Sequence, residues 1–552
     1  MNASELLLKC LEREGVSHIF GVAGEENLHL LEAISKSNIK YISTRHEQAA
    51  SFMAATWGRL TGEPGVCLST LGPGATNLAT GAAYAFLGGM PLIMITGQKP
   101  IRERTQGNFQ IIDVTKLFEP ITKYTKQIID ADTIPEIVRE AFEIAKNEKP
   151  GPVHIELPKD ISNDPAQAPE NSTGALAPGE RVKRANFGVP VQADVSKALE
   201  MINSAEAPVL VLAGGANRKN LSKTISDFIE KHNVPFVSTQ MGKGAVDERS
   251  KYYLGTLALS SKDYVHCVLE KADLIIVAGY DLDQKIPFVQ GKAKILNINF
   301  SPIGESEYYK PAHEIIGDIG NSFAKLSEKI NKKFTGSAEI LKLKEKIEEK
   351  VNEKSDNDNF PILPQRIVRD VRSAVPEDGI ICLDNGMYKL WFARGFQAYA
   401  SNTILLDNAL ATMGAGLPSA IMAKMLYPER FVLSVCGDGG FMMSSAEVET
   451  ALRLGLDLVV LVVNDNGFGM IEWEQKEKNY APFGLKFNNP DFVKYAESFG
   501  AKGARAEKAG DLLYLIERAR KEGGVWVIEA PVDYSENIRV FTEELSRNVC
   551  DF

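Results

Sequence analysis

Two short polar stretches carry residue types that could act together. GDGG (437–440) follows the apolar run 431–435, and NDNG (464–467) follows the apolar run 458–463. Between them Val448, Ala451, Leu452 and Leu454 recur on one side of a helical pattern. The order predicts strand, turn, helix, strand, turn, with polar residues at both strand ends. In a parallel sheet those ends are where ligands bind, next to helix N-termini. Gly437, Gly439 and Gly440 allow a sharp turn and bring amide N–H groups close to an anion, and the helix dipole favours phosphate there. Asp438 and Asp465 fall at adjacent strand ends and can offer oxygens to one small hard cation; Mg²⁺ suits, since it takes few protein carboxylates and completes its shell with phosphate and water. The bland alternative is a glycine-rich turn and a polar turn of an ordinary α/β protein.

A third acid draws notice far upstream. Glu47 opens the helical stretch 44–62, followed by Ala49, Ala50, Phe52 and Met53. A carboxyl group buried there would hold its proton to higher pH. Alternatively it is a helix-start acid favoured by the dipole.

Stretches alternating short strands with helices fill the rest of the chain and predict parallel sheets in an α/β fold. Residues 1–162 form one such domain, 191–335 a second and 360–552 a third. The segment 163–190, rich in Pro, Ala, Asn and Gly, reads as a linker, and the charged stretch 336–359 as a solvated helical connector. Domains one and three are similar only in architecture. A net charge of −10 argues against a nucleic-acid partner. Six cysteines without a CxxC pair suggest neither a disulfide framework nor a zinc cluster, and read as small buried hydrophobes. All seven histidines precede position 314, which disfavours a His-based metal site beside Asp438. With no 18-residue apolar run and a charged N-terminus, neither a membrane span nor a signal peptide is expected, and the cytoplasm is the default location.

GDG followed at this distance by an Asn-rich strand end resembles the metal and diphosphate motif of thiamine-diphosphate enzymes. GVAGEEN (21–27), HEQAASFMA (46–54), LSTLGPGATN (68–77) and PLIMITG (91–97) stand in the order seen in the pyrimidine-binding domain of the acetolactate synthase family. The resemblance covers nearly the whole chain. It implies three doubly wound parallel-sheet domains, pyrimidine-binding, middle and diphosphate-binding, with thiamine diphosphate and Mg²⁺ as cofactors. It assigns the metal to Asp438, Asp465 and the Gly467 carbonyl; the departure is Asp465, where the family has Asn, which keeps an oxygen donor and adds charge. Glu47 would hydrogen-bond the aminopyrimidine and drive formation of the reactive ylid. In DNALATMGAGLPSAIMA (407–423), a segment that includes Asn408, Met413 would bend the cofactor and the Ala411 carbonyl would accept from its amino group. Gln110 and Lys159 match family active-site positions.

Within the family the pattern is similar to the catabolic, flavin-free synthase. GYDLDQKIP (279–287) lacks the arginines of the flavin-contacting segment, so FAD is not expected. The biosynthetic branch has a Trp four residues after the Met that matches Met470; position 474 here is Glu, and Trp473 sits one earlier. Tyr388 departs from the His usual near the diphosphate. Glu25 stands where related decarboxylases carry a catalytic Asp, whereas their His pair is replaced by Phe109 and Gln110. The resemblance thus implies a transferase or lyase that joins two pyruvates to 2-acetolactate with loss of CO₂: with Phe109 in place of His, the enamine meets a second ketone, oriented by Gln110, before it meets a proton. The alternatives are a thiamine-dependent 2-oxo acid decarboxylase or lyase, and a non-catalytic thiamine-diphosphate-binding protein. A homodimer or homotetramer is implied, each site taking Glu47 from one chain and the Asp438/Asp465 unit from another.

Overall fold

The computed structural model describes residues 1–103, 107–167, 188–218, 221–257, 259, 264–282, 293–304, 306–307, 309–544 and 550. Residues 168–187 of the expected linker and 283–287 of the GYDLDQKIP segment lie outside that set. Three six-stranded sheets follow one another along the chain, and every paired strand is parallel, as the alternation of strands and helices predicts.

In the first sheet the strands lie side by side as Lys40–Ser43, His18–Gly21, Gly65–Ser69, Leu92–Gln98, Pro152–Pro158 and Tyr124–Gln127. In the third they lie as Ile404–Leu405, Ile380–Leu383, Val432–Gly437, Leu458–Asn464, Val525–Pro531 and Lys502–Arg505. Both sheets therefore share one strand order, second-first-third-fourth-sixth-fifth, a closer kinship than the sequence reading found. In each, the chain leaves the first and third strands in opposite directions, which opens a crevice beyond their C-terminal ends. The middle sheet, built of Pro208–Leu212, Phe236–Ser238, Tyr253–Thr256, Leu274–Ala278, Lys294–Asn299 and His313–Ile316, instead grows outward both ways from its first strand.

The chain falls into two compact units, residues 1–185 with 421–426, and residues 186–420 with 427–552. In the first unit the helix Ala3–Arg13 buries Leu6, Leu7 and Leu11 against the core shared with Val138 and Ala141 of Ile134–Lys146. Its start is fixed by a capping box in which Asn2 accepts from the Glu5 amide at 2.9 Å and Glu5 accepts from the Asn2 amide at 3.1 Å. In the second unit the strands Val432–Gly437 and Leu458–Asn464 are buried almost throughout, as expected of central parallel strands covered on both faces.

Three local expectations need correction. The helix after GDGG is two pieces, Asp438–Ser444 and Glu447–Arg453, broken at Ser445 and Ala446. The connector is not simply solvated: its helices Ser337–Leu341 and Leu343–Asn352 bury Ile340, Leu343 and Ile347 in a middle-domain core, so apolar spacing was hidden under a high charge count. Cys267 and Cys550 form a disulfide across 283 residues, with Cα atoms 5.2 Å apart. Cys10, Cys67, Cys382 and Cys436 are buried thiols, as the composition suggested. Among the described residues no helix is long and apolar enough to cross a membrane.

Candidate active site

A cleft of about 750 Å³ opens at the switch point of the third sheet. Residues 385–389, after Ile380–Leu383, form one wall, and Gly437 to Gly440, after Val432–Gly437, form another. Ala411, Met413, Asp465, Gly467, Met470 and Tyr534 complete it. Of the third-domain residues singled out from the sequence for cofactor or metal, all line this cleft except Asn408, which accepts from Lys389 Nζ at 2.8 Å; Trp473 and Glu474 lie outside the lining. Lys389 itself lines the cleft, and burial pulls its ammonium down to about 8.

Close packing also requires the glycines. Gly437 has an ordinary φ of −74°. What the three positions lack is room. A Cβ at Gly437 would stand 2.9 Å from Tyr388 Cε1, and one at Gly440 2.7 Å from Asp384 Oδ2. A Cβ at Gly439 would stand 2.9 Å from Phe468 Cε1 and 3.2 Å from Met413 Cε. Met413 is half-buried, so it belongs to the cleft wall rather than to the core.

The loop that carries Met413 is held from beneath. Asp384, fully buried, accepts the amide of Asn385 at 2.7 Å and that of Gly414 at 2.9 Å. Burial still wins over these bonds and lifts its carboxyl to about 6. Asn385 Nδ2 donates to the Thr412 carbonyl at 2.7 Å, and the Ala411 amide donates to Asp407 Oδ2 at 2.9 Å. These bonds keep Ala411 at a φ of +55°, a conformation a residue with a Cβ adopts at a cost. Asp384 and Asn385 escaped the sequence reading, although their position at a strand end opposite GDGG was a usable signal.

The two acids meet as expected. Gly437 pairs in register with Val463, which sets Asp438 beside Asn464 and Asp465. Asp438 is 1% exposed, and its Oδ2 accepts from Asn489 Nδ2 at 2.7 Å. The same amide reaches Asn464 Oδ1 at 3.1 Å and Asn466 Oδ1 at 3.2 Å. Asn464 is anchored in turn to Glu529 at 2.7 Å, and Glu529 to Arg505 at 2.7 Å. Burial raises both carboxyl groups above the usual range; for Asp465, pushed up to about 7, the Asp438 charge adds to burial and Lys486 opposes it. A buried and a half-buried carboxylate that each disfavour the other's charge are a fit for a hard divalent cation. Among the described residues no cluster of three His, Cys, Asp or Glu side chains surrounds them, so most of a cation's ligands would be carbonyl, phosphate or water oxygens, the Mg²⁺ pattern. Asn489 was not foreseen: it sits 51 residues beyond Asp438 in an irregular segment.

The anion side of the cleft passes a similar test. The Tyr388 hydroxyl lines it, buried, with no acceptor for its proton in the protein, while Asn385 Oδ1, also buried and unpartnered, is an acceptor that calls for a donor on the ligand. Tyr388, the departure from His, thus offers a hydroxyl donor there. Orphaned buried polar atoms of this kind mark a place a ligand would satisfy.

In the first unit, Glu47 begins the helix Glu47–Thr61 and is buried, 9% exposed. Its Oε2 accepts from Asn77 Nδ2 at 3.0 Å. Asn77 ends the short helix Pro73–Asn77, entered through Gly72 at a φ of +52°. Gly74 leaves space beside the acid: a Cβ there would lie 3.2 Å from Glu47 Oε1. Gln110, itself at a φ of +61°, packs against the same turn, its carbonyl 2.9 Å from a Cβ built on Gly72. Phe109 is 72% exposed, with Lys99 Nζ 5.6 Å above its ring. Lys159 and Glu25 form a different pair, 3.4 Å apart, with Glu25 largely in solvent. Its neighbour Glu26 is the buried acid, paired with Lys99 and accepting from Thr70 at 3.3 Å.

Fold and cleft together define a class: parallel α/β proteins with an acid-and-glycine ligand cleft at a sheet's switch point. Comparison with known families narrows it. The N-terminal TPP binding domain of the thiamine pyrophosphate enzymes matches residues 1–117, their central domain residues 195–326, and their C-terminal TPP binding domain residues 384–530. The chain is 33% identical to an acetolactate synthase of Bacillus subtilis, over 99% of this chain and 95% of that one. It is 32% identical to a catabolic acetolactate synthase of Raoultella terrigena, over 97% and 96%, and 33% identical to a probable acetolactate synthase large subunit of Methanocaldococcus jannaschii, over 97% and 93%. The chain belongs to the acetolactate synthase family of thiamine pyrophosphate enzymes.

Proposed function

We propose that this protein is an acetolactate synthase: two pyruvates and one proton become 2-acetolactate and one CO₂. The observation that carries the reading is the switch-point cleft, with its adjacent acids and orphaned polar atoms, in a chain that matches a synthase over 99% of its length. Thiamine diphosphate, when bound, supplies the carbon acid and electron sink that decarboxylation of a 2-oxo acid requires. The chain's own residues do the rest. Asp438, Asp465 and the Gly467 carbonyl would hold Mg²⁺, whose charge would offset that of the diphosphate. The Gly437–Gly440 segment, the Tyr388 hydroxyl and the Lys389 ammonium would receive the phosphate oxygens. Met413 and the Ala411 carbonyl position the aminopyrimidine, and Met470 borders the reacting centre. Glu47, oriented by Asn77, gives and takes the proton at the pyrimidine ring nitrogen.

Product choice follows from what is missing. Phe109 can deliver no proton, so carbon–carbon bond formation with a second pyruvate outruns release of acetaldehyde, and Gln110 orients that acceptor. Glu25, ion-paired to Lys159 and exposed, is a poor proton donor in this scheme. No flavin is required, and a colourless preparation is the corresponding expectation. Each site draws Glu47 from one chain and the Asp438/Asp465 unit from another, so the working form is at least a homodimer. Incubation with pyruvate, thiamine diphosphate and Mg²⁺ tests the reading: acetolactate should be the main product, and acetaldehyde alone, or no turnover, would refute it.

A further inference from the structure

A second cavity, about 1020 Å³, lies within the later unit. The strand Tyr253–Thr256 and the helix Leu343–Asn352 contribute one side, and the helices Pro364–Ala374 and Met387–Gly395 the other. Met387–Gly395 serves both cavities: Met387, Tyr388 and Lys389 line the cofactor cleft, while Trp391, Arg394 and Gly395 line this one. The family comparison assigns nothing to it.

Its chemistry is lopsided. Glu348 is the one acid in the lining, against five cationic side chains. Two of the five are neutralised: Lys243 by Glu248 at 2.8 Å, and Arg369 by Asp370 at 3.3 Å together with Asp356. Lys344 spends its ammonium on the Ser250 carbonyl at 2.9 Å, with Glu348 at 3.6 Å. Arg372 has no such counter-charge: among the described residues no carboxylate forms an ion pair with it. Its guanidinium donates to the carbonyls of Val375, Gln397 and Pro376, the last two each at 3.0 Å, and stacks on Phe396 and Tyr399 at 4.5 and 4.3 Å. Its Nε is buried with no partner. Gln365, 6% exposed and also in the lining, has its Oε1 buried with no partner, an acceptor that calls for a hydroxyl or N–H on the ligand's body rather than for its charge. A half-buried cation with no ion pair, favoured only at a distance by Glu377 and Glu248, and two unsatisfied polar atoms around one cavity are costly to maintain. The remaining wall, with Ile347, Val351, Val368, Trp391 and Phe396, is apolar and aromatic.

We propose that this cavity binds an organic anion, a carboxylate or phosphate monoester on an aromatic or branched apolar body, whose charge sits on Arg372. Because one helix borders both cavities, the ligand changes cofactor affinity, and the cofactor changes the ligand's affinity by the same factor.

The test uses the full-length protein and 8-anilinonaphthalene-1-sulfonate as a fluorescent anion, displaced by phenyl phosphate or by benzoate. These competitors share a ring, so their relative potency distinguishes phosphate from carboxylate. We expect saturable displacement, weakened at least about tenfold in Arg372→Met and recovered in Arg372→Lys. Ser373→Trp, an exposed position on the cavity rim, should fill the space and abolish binding while the circular dichroism spectrum is kept. Absence of displacement by either competitor at millimolar concentration would overturn the proposal, as would displacement in Arg372→Met and Ser373→Trp equal to wild type. Thiamine diphosphate affinity unchanged at saturating competitor would overturn the coupling through Met387–Gly395.

Discussion

Replacing Asp465 by Asn should make the ligand-free protein more stable. Asp465 is half-buried beside Asp438, and its carboxyl rises from an ordinary 3.8 to about 7. Taken whole, that rise corresponds to roughly 4 kcal/mol at about 1.4 kcal/mol per pH unit. Part of it is shared with Asp438, which is raised as well, so about 2 kcal/mol is the expected gain. The sign follows from proton linkage. Below pH 3.8 the carboxyl is protonated whether the chain is folded or not, and Asp465 costs nothing. As pH rises toward 7 the unfolded chain ionises while the folded one keeps its proton, so folded stability drains away; above 7 the loss is complete. The advantage of Asp465→Asn should therefore be small at pH 4.5, grow up to pH 7 and level off beyond it. Thermal unfolding in EDTA across pH 4.5 to 8.5 reads this directly, as a midpoint shift of several degrees at the plateau. Mg²⁺ should narrow the gap by neutralising the pair. An Asn variant less stable than wild type at pH 8 in EDTA, or a gap that does not change with pH, would refute the electrostatic reasoning.

Other outcomes follow from the remaining geometry. Glu47→Gln keeps an acceptor for Asn77 and should leave the unfolding midpoint within about 2 °C, yet cut turnover at least about 100-fold. Phe109→His, at an exposed ring that tolerates exchange, should raise the acetaldehyde-to-acetolactate ratio; an unchanged ratio would count against the proton-starvation argument. Asn489→Ala leaves Asp438 without its side-chain donor and should weaken Mg²⁺ binding about tenfold in a calorimetric titration. Coexpression of Glu47→Gln and Asp438→Ala chains, each inactive alone, should restore about a quarter of wild-type turnover, because half the dimers carry one intact site.

How far the site could be read from the sequence depended on how local its signals were. Asp438, Asp465 and the glycines were legible because apolar runs announce buried strands and polar residues mark their ends. The reason for the glycines was not: nothing in GDGG reveals that Tyr388, Asp384 and Phe468 press against those positions. Asp384, Asn385 and Asn489 act through contacts with a loop or strand end tens of residues away and carry no periodic signature. The same holds for the Cys267–Cys550 link. The shared strand order of the outer sheets was also invisible, since spacing shows that strands alternate with helices but not which strands become neighbours. Charge misled once, at 336–359, where lysines and glutamates on one face hid the buried Ile340, Leu343 and Ile347 on the other.

Titration of thiamine diphosphate into the protein with and without Mg²⁺, in wild type and Asp438→Ala, bears most directly on the assignment of the switch-point cleft. Saturable, Mg²⁺-dependent binding at one equivalent per chain in wild type, lost in Asp438→Ala, is the expected result. No binding in wild type, or binding indifferent to both Mg²⁺ and Asp438, would contradict it.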